Sequence, residues 1–148
     1  MIAMVGLEKY KIKQFDSLDL PASPRLPLDE SAKFLNDKLN VDCFKIASVD
    51  LVNLPLIKYV SSFGKPIILS CGMSNLAEIE DALDSVISTN NKNVILLHCN
   101  SSYPAPNEDL NLTCIKTLKD RYKCEVGYSG HEFGLTTSIS SIFPNSNP

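Results

Sequence analysis

The chain has 148 residues, 44% of them hydrophobic and 21% charged, which is typical of one globular domain with its own core. Its formal charge is −3 and its basic residues are scattered along the sequence, which argues against nucleic acid as a partner. No apolar run approaches the ~20 residues that a membrane-spanning helix needs, and the N-terminus lacks the features of a signal peptide, so we expect no membrane partner.

The predicted secondary structure alternates between helices and short apolar strands. The first helix covers residues 28–39. Four runs rich in Val, Ile, Leu and aromatic residues have the length of strands, over residues 43–48, 65–71, 93–99 and 124–129. Helical patterns follow these runs, over residues 53–64, 74–88, 112–122 and 134–142, and those over 74–88 and 112–122 place their apolar residues on one face. Asn75 and Glu78 have the spacing of a capping box at the start of the helix over 74–88.

This order of elements is a string of βα units, with strand starts ~22 to 31 residues apart. Two architectures fit the order: an open doubly wound sheet and part of a (β/α)8 barrel. No G-x-G-x-x-G motif follows any strand and there is no P-loop. The nucleotide-binding form of the doubly wound sheet therefore loses support.

Polar residues collect at the C-terminal ends of the four predicted strands, which is the edge where βα proteins build their sites. Hydroxyl groups, a lysine and backbone amides exposed by glycine suit an anion such as phosphate or carboxylate. In chain order the residues are Lys45, Ser48, Asp50, Ser70, Cys71, Gly72, His98, Asn100, Ser101, Ser102, Tyr103, Tyr128, Ser129, Gly130 and His131.

Several of these residues also have a purely structural interpretation. Lys45 lies in an apolar run, and its side chain could extend along apolar surface to reach solvent. Ser48 and Ser70 could be small packing residues. Asp50 could cap the turn that precedes Asn53.

The histidines and cysteines can also be assigned either a structural or a functional role. His98 is typical of a hydrogen-bonded core histidine, whereas His131 follows its strand beside a glycine and is placed more like a ligand, although one histidine is not a metal site. Cys71 and Cys99 fit small buried apolar residues. The five cysteines are an odd number without C-x-x-C spacing, which argues against disulfides or structural zinc and predicts a reduced, cytoplasmic setting.

Four motifs carry these strand ends: FKIASVDLVNLPLI, GKPIILSCGMSNLAEIEDAL, LLHCNSSYPAPNEDLNL and VGYSGHEFGL. In this order and spacing they resemble the sialic acid synthase family, which includes N-acetylneuraminate, legionaminate and pseudaminate synthases. The likeness covers residues 27–142. It implies an α/β fold that is a partial (β/α)8 TIM barrel, with about four parallel strands and flanking helices.

The resemblance also implies an activity. Members of this family condense phosphoenolpyruvate with an N-acetylated amino sugar such as N-acetylmannosamine and release phosphate, in the biosynthesis of nonulosonic acids. A divalent metal, Mn²⁺ or Mg²⁺, polarises the sugar aldehyde. Full-length members are homodimers, and we expect a cytoplasmic location.

Individual roles follow from the same resemblance. Asp50 stands where the family contacts the sugar, and Asp50 and Tyr103 are the predicted catalytic residues. His131 matches one of two metal-binding histidines, and the second falls on a strand that this chain lacks. The predicted phosphoenolpyruvate-binding residues are Lys45, Ser48, Ser70, Ser101, Tyr103 and Ser129.

The likeness stops at both ends of the chain. We expect a divergent N-terminal segment over residues 1–26, a partial synthase domain over 27–142 and an off-family tail over 143–148, without the antifreeze-like domain of the family. A complete barrel takes ~250 residues, so we expect the isolated chain to be weakly active or inactive. The alternatives are another phosphoenolpyruvate-condensing or anion-binding barrel, and a truncated, non-catalytic product.

Overall fold

The computed structural model describes residues 28–142. The predicted N-terminal segment and C-terminal tail lie outside this part of the chain. The chain divides into two compact units, residues 1–42 and 43–148. The described element of the first unit is helix α1, Leu28–Asp37, which ends two residues earlier than predicted.

The second unit is built on a four-stranded parallel sheet. Its strands are β1 Phe44–Ile46, β2 Ile67–Ser70, β3 Val94–Cys99 and β4 Glu125–Ser129. Each strand pairs in parallel with the next one along the chain, in the order β1-β2-β3-β4. A doubly wound sheet reverses its strand order, whereas a βα barrel adds strands in sequence. The order therefore confirms the predicted partial (β/α)8 barrel, and all four predicted strands are confirmed.

Helices follow each strand of this sheet. They are α2 Leu54–Ser61, α3 Leu76–Ile87, α4 Thr113–Tyr122 and α5 Thr136–Ser140, with 3₁₀ turns at Ser48–Asp50 and Asn107–Asp109. The predicted capping box is confirmed: Asn75 Oδ1 accepts the amide of Glu78 at 3.0 Å, and Glu78 Oε2 accepts the amide of Asn75 at 2.8 Å. These two bonds fix the point at which α3 leaves the loop after β2. Within residues 28–142 no helix is long and apolar enough to cross a membrane.

One face of the sheet forms the hydrophobic core. Phe44, Ile46, Ile67, Leu69 and Leu96 alternate along their strands and are between 0% and 5% exposed. Helices cover a sheet on its faces in βα proteins, and α4 contacts β3 and β4 here. The buried face is therefore the one that would point outwards, towards the helices, in a barrel.

The opposite face of the sheet is more open and carries polar side chains. The register aligns Lys45 with Ile68, Ile68 with Ile95, and Ile95 with Glu125, so these four residues share a face. Lys45 and Glu125 are exposed, and the two isoleucines between them are half-buried. In a complete barrel this face lines the interior, where side chains of the strands meet.

All five cysteines are free thiols, and two of them lie in the core. Cys71 and Cys99 are 7% and 5% exposed, which confirms their interpretation as small buried residues. The Cys71 thiol donates a hydrogen bond to the carbonyl oxygen of Leu97 at 3.2 Å. Burial raises the pKa of the Cys71 thiol to about 11, and the nearby Cys99 adds to the shift.

The thiols should therefore differ in reactivity towards iodoacetamide. At about pH 8 only about one thousandth of Cys71 would be thiolate, so we expect the exposed Cys43 to be alkylated first and Cys71 to stay unmodified. Peptide mass spectrometry after timed labelling measures this order. Labelling in urea, where every thiol is accessible, is the control. Equal rates for Cys43 and Cys71 in the folded chain would contradict the burial of Cys71.

Candidate active site

The predicted site residues lie at the C-terminal edge of the sheet and in the loops that follow it. Lys45 is the middle residue of β1, while Ser70 and Ser129 are the last residues of β2 and β4. The strand register places these three residues on the same open face of the sheet. The others lie in loops: Ser48 and Asp50 after β1, Ser101 and Tyr103 after β3, and His131 after β4.

The hydroxyl group of Ser70 is buried at the end of β2. The residue is 3% exposed, and within the described residues no protein group forms a hydrogen bond with its Oγ. A buried hydroxyl without a partner costs about 1–3 kcal/mol, so such groups in proteins call for a specific explanation. A ligand oxygen at this edge would satisfy the hydroxyl, which supports the predicted role of Ser70 over simple packing.

Ser48 joins the ends of the first three strands. Its Oγ accepts the backbone amide of Gly72 at 3.2 Å and lies 3.2 Å from the sulfur of Cys99. A Cβ at Gly72 would lie 2.6 Å from the same sulfur, so residue 72 has no room for a side chain. Ser48 therefore ties loops together in addition to its predicted ligand contact. The sequence marks Gly72 as a strand-end residue but does not show this contact, because Ser48 and Cys99 are 51 positions apart.

The loop after β3 is held by its own polar side chains. Asn100 Oδ1 accepts the amide of Ser102 at 2.8 Å, and Asn100 Nδ2 donates to the carbonyl of Asp109 at 3.3 Å. His98 Nε2 donates to the carbonyl of Leu110 at 2.7 Å, which confirms His98 as a hydrogen-bonded structural histidine. Asn100 and His98 thus anchor the loop, and Ser101, two residues after the end of β3, is exposed.

Tyr103 and His131, two predicted site residues from different loops, are in direct contact. Their rings stack with centroids 4.1 Å apart, and the Tyr103 hydroxyl lies 2.9 Å from His131 Nε2. His131 Nδ1 lies 2.5 Å from the carbonyl oxygen of Asn100. Because a carbonyl oxygen can only accept, Nδ1 carries the proton, and Nε2 accepts the Tyr103 hydroxyl.

This tautomer is the one that a metal ligand needs. Metal-binding histidines usually donate one ring N–H to a carbonyl or carboxylate and coordinate through the other nitrogen. His131 Nε2 therefore fits one ligand position of a divalent metal once the Tyr103 hydroxyl gives way. Among the described residues there is no group of three His, Cys, Asp or Glu side chains that could hold a metal by itself.

Glu132 also lies at this edge of the sheet and is not among the residues predicted from the sequence. Its carboxylate accepts the Tyr128 hydroxyl at 2.8 Å. Burial raises the pKa of Tyr128 to about 12, and the hydrogen bond to Glu132 adds to the shift. Burial alone would raise the pKa of Glu132, but hydrogen bonds from Tyr128 and other donors bring it below its ordinary value. The only signal in the sequence is a carboxylate directly after His131.

An open cleft of about 430 Å³ lies beside the loop after β3. Gly72, Asn100, Ser101, Ser102 and Asp109 are among its lining residues. Among the described residues with a predicted role towards phosphoenolpyruvate, the sugar or the metal, only Ser101 lines the cleft. The remaining predicted residues lie on the open face of the sheet, in the loop after β1 or around His131, so the cleft adjoins the predicted site at Ser101.

The fold and these strand ends define the class of the protein: an α/β protein of the (β/α)8-barrel type, with its polar residues at the C-terminal edge of the strands. The chain belongs to the NeuB family, whose family model matches residues 25–143. The resemblance to sialic acid synthases, based on four motifs, is thereby confirmed.

Known relatives of the chain are longer than the chain itself. An uncharacterised protein of Methanocaldococcus jannaschii is 47% identical over 91% of this chain and 40% of its own length. The N,N'-diacetyllegionaminic acid synthase of Campylobacter jejuni is 44% identical over 78% of this chain and 35% of its own length. The crystal structure of an N-acetylneuraminic acid synthetase from Leptospira borgpetersenii in complex with citrate has a TM-score of 0.70 and 36% identity, covering 73% of this chain and 38% of that one. The chain thus spans well under half of each relative.

Proposed function

We propose that the protein is a sialic-acid-type synthase, which condenses phosphoenolpyruvate with an N-acetylated amino sugar such as N-acetylmannosamine. C3 of phosphoenolpyruvate forms a bond with the aldehyde carbon of the open-chain sugar. Water adds to C2 and inorganic phosphate leaves, so the products are a 2-keto acid and phosphate. This is a transferase reaction in the biosynthesis of nonulosonic acids.

The contact between Tyr103 and His131 is the observation that carries this proposal. It brings a predicted phosphoenolpyruvate contact within 2.9 Å of a predicted metal ligand, although the two residues are 28 positions apart. A substrate phosphate and a divalent metal often share one site, because the metal neutralises the charge that develops on oxygen. The likeness to a diacetyllegionaminic acid synthase supports a nine-carbon sugar acid as the product.

The protein's own residues would divide the work between the two substrates. Lys45 would bind the negative charge of phosphoenolpyruvate, and the hydroxyls of Ser48, Ser70, Ser101, Tyr103 and Ser129 would donate hydrogen bonds to its oxygens. Asp50, half-buried in the turn after β1, would contact the sugar. When bound, Mn²⁺ or Mg²⁺ would supply Lewis-acid chemistry, with His131 as one of its ligands. The five free cysteines support a reducing, cytoplasmic setting.

Substrate binding and turnover test the proposal separately. In a ¹⁵N-labelled sample of the chain, phosphoenolpyruvate with Mg²⁺ should shift the amide resonances of Lys45, Ser70 and Ser129 more than an equal concentration of sulfate does. Phosphate release, which we expect to be slow from this chain, should require both phosphoenolpyruvate and an N-acetylated amino sugar, and mass spectrometry should identify their condensation product. An acceptor panel of N-acetylmannosamine, a diacetamido hexose and a sugar phosphate without an N-acetyl group tests the substrate class.

Two outcomes would reject this function. Amide shifts confined to residues away from the C-terminal edge of the sheet would show that phosphoenolpyruvate does not use this site. Turnover of phosphoenolpyruvate with the sugar phosphate alone would assign the protein to another class of phosphoenolpyruvate-condensing barrel.

A further inference from the structure

Glu132 bridges strand β4 and helix α5. Its Oε2 accepts the hydroxyl of Tyr128, in β4, at 2.8 Å, and its Oε1 accepts the hydroxyl of Ser138, in α5, at 3.3 Å. Each carboxylate oxygen thus holds a different element. The segment between these elements is the bend that carries His131.

The carboxylate of Glu132 also folds back over Gly130. A Cβ at residue 130 would lie 2.7 Å from Oε2 and 2.8 Å from Oε1 of Glu132, which is too close for non-bonded atoms. Gly130 does not have the left-handed backbone that Gly134 has, where φ is +91°. An alanine at 130 would therefore be acceptable to the backbone, but it would collide with the carboxylate of Glu132 and with the ring of Tyr128, whose Cε1 would lie 2.9 Å from the new Cβ.

His131 sits between this arrangement and the loop after β3. Its Nδ1–H donates to Asn100, and its backbone carbonyl accepts the amide of Ala105 at 3.1 Å. These two contacts hold His131 from the β3 side. From the β4 side, the contacts that fix the bend next to His131 are those of Glu132.

We propose that Glu132 is a positioning residue for His131. Its carboxylate, held by Tyr128 and Ser138, fixes the bend so that His131 keeps Nδ1–H on the Asn100 carbonyl and leaves Nε2 as an acceptor. The use of Nε2 as a metal ligand rests on the function proposed above. The positioning itself concerns only this chain's own residues.

Imidazole NMR measures this directly, because the chain has only two histidines. His98 donates from Nε2 and His131 donates from Nδ1, so the structure gives them opposite tautomers. Long-range ¹H–¹⁵N spectra at about pH 8.5, above the ordinary histidine pKa of ~6.5, should therefore show one pure tautomer of each kind. His98 is the internal control.

Two variants should change the His131 signals alone. Glu132→Ala removes the carboxylate, and we expect the ring nitrogens of His131 to move to shifts averaged between both tautomers. Gly130→Ala keeps Glu132 but displaces its carboxylate, so it should produce the same change. In both variants the His98 tautomer should stay as it is in the natural chain.

Unchanged His131 shifts in folded Glu132→Ala and Gly130→Ala would overturn the proposal. A lower melting temperature with an unchanged tautomer would count against it too, since that is the result of a merely structural role. Should Glu132→Ala fail to fold, Tyr128→Phe is the substitute, because it removes only the hydroxyl that holds the Glu132 carboxylate. A changed His131 tautomer in this variant would support the proposal, and an unchanged tautomer would overturn it. An unchanged tautomer leaves the proposed synthase function standing, whereas a failure to bind phosphoenolpyruvate leaves the tautomer result standing.

Discussion

Replacing Leu96 with alanine should lower the free energy of unfolding by about 3–5 kcal/mol. Leu96 is 0% exposed and lies in β3, where its register partners are Leu69 in β2 and Val126 in β4. The substitution loses the free energy gained by burying the removed methyl and methylene groups. It also leaves a cavity, because closely packed neighbours relax only partly into the space. Urea denaturation followed by circular dichroism measures the loss as a lower midpoint with an unchanged slope.

Leu135→Ala is the matched control for this substitution. Leu135 precedes α5 and is 75% exposed, so the same chemical change removes almost no buried surface. We expect an effect within about 0.5 kcal/mol. Similar losses at both positions would mean that Leu96 does not belong to the core face of the sheet.

Replacing Lys45 with methionine should weaken phosphoenolpyruvate binding by about 10- to 100-fold. Lys45 is exposed on the open face of the sheet, the same face that carries Ser70 and Ser129. A hydrogen bond between charged partners contributes about 1.5–3 kcal/mol, and each 1.4 kcal/mol is tenfold in affinity. Methionine keeps the length and apolar stem of the side chain, so stability should change little. Isothermal titration with phosphoenolpyruvate and Mg²⁺ measures the change in affinity.

Lys92→Met is the control for charge. Lys92 is an exposed residue just before β3, at the end of the strand opposite the predicted site. The Lys92→Met variant changes the net charge of the chain by the same amount as Lys45→Met. We expect its affinity for phosphoenolpyruvate to stay within about twofold of that of the unchanged chain, because exposed charges far apart are screened by salt. If both variants weakened binding equally, Lys45 would contribute only through long-range charge.

The regular elements could be predicted from the sequence because their signals are local. The four strands follow from short apolar runs, and the start of α3 follows from Asn75 and Glu78, which lie three residues apart. The positions at which these elements end were less predictable. The first run was expected to continue to Ser48, but the amide of Asp50 bonds to the carbonyl of Ala47 and starts a 3₁₀ turn, so β1 ends at Ile46. The turn that precedes Asn53 is closed by the carbonyl of Asp50, which accepts the amide of Asn53 at 3.0 Å, and helix α2 is then capped by Asn53, whose Oδ1 accepts the amide of Leu56.

The site was predictable as an edge of the sheet but not as a set of contacts. Parallel strands bring their C-terminal ends together, so residues such as Ser70 and His131 could be assigned to one edge from the order of elements. The bonds between loops could not, because the partners are far apart in the chain and no periodicity links them. One example is Ser48 Oγ, which contacts both the amide of Gly72 and the sulfur of Cys99. The carboxylate of Glu132 over Gly130 is local in sequence, yet it depends on the side-chain conformation of Glu132.

The sequential order of the strands also bears on how the chain can acquire its structure during synthesis. Among the four described strands, β2, β3 and β4 each pair with the strand completed just before, so the partner has already left the ribosome. These three pairings do not wait for a distant segment, which keeps the entropy lost in closing each loop small for a parallel sheet. The sheet can thus grow vectorially, one strand and one helix at a time, in the direction of translation.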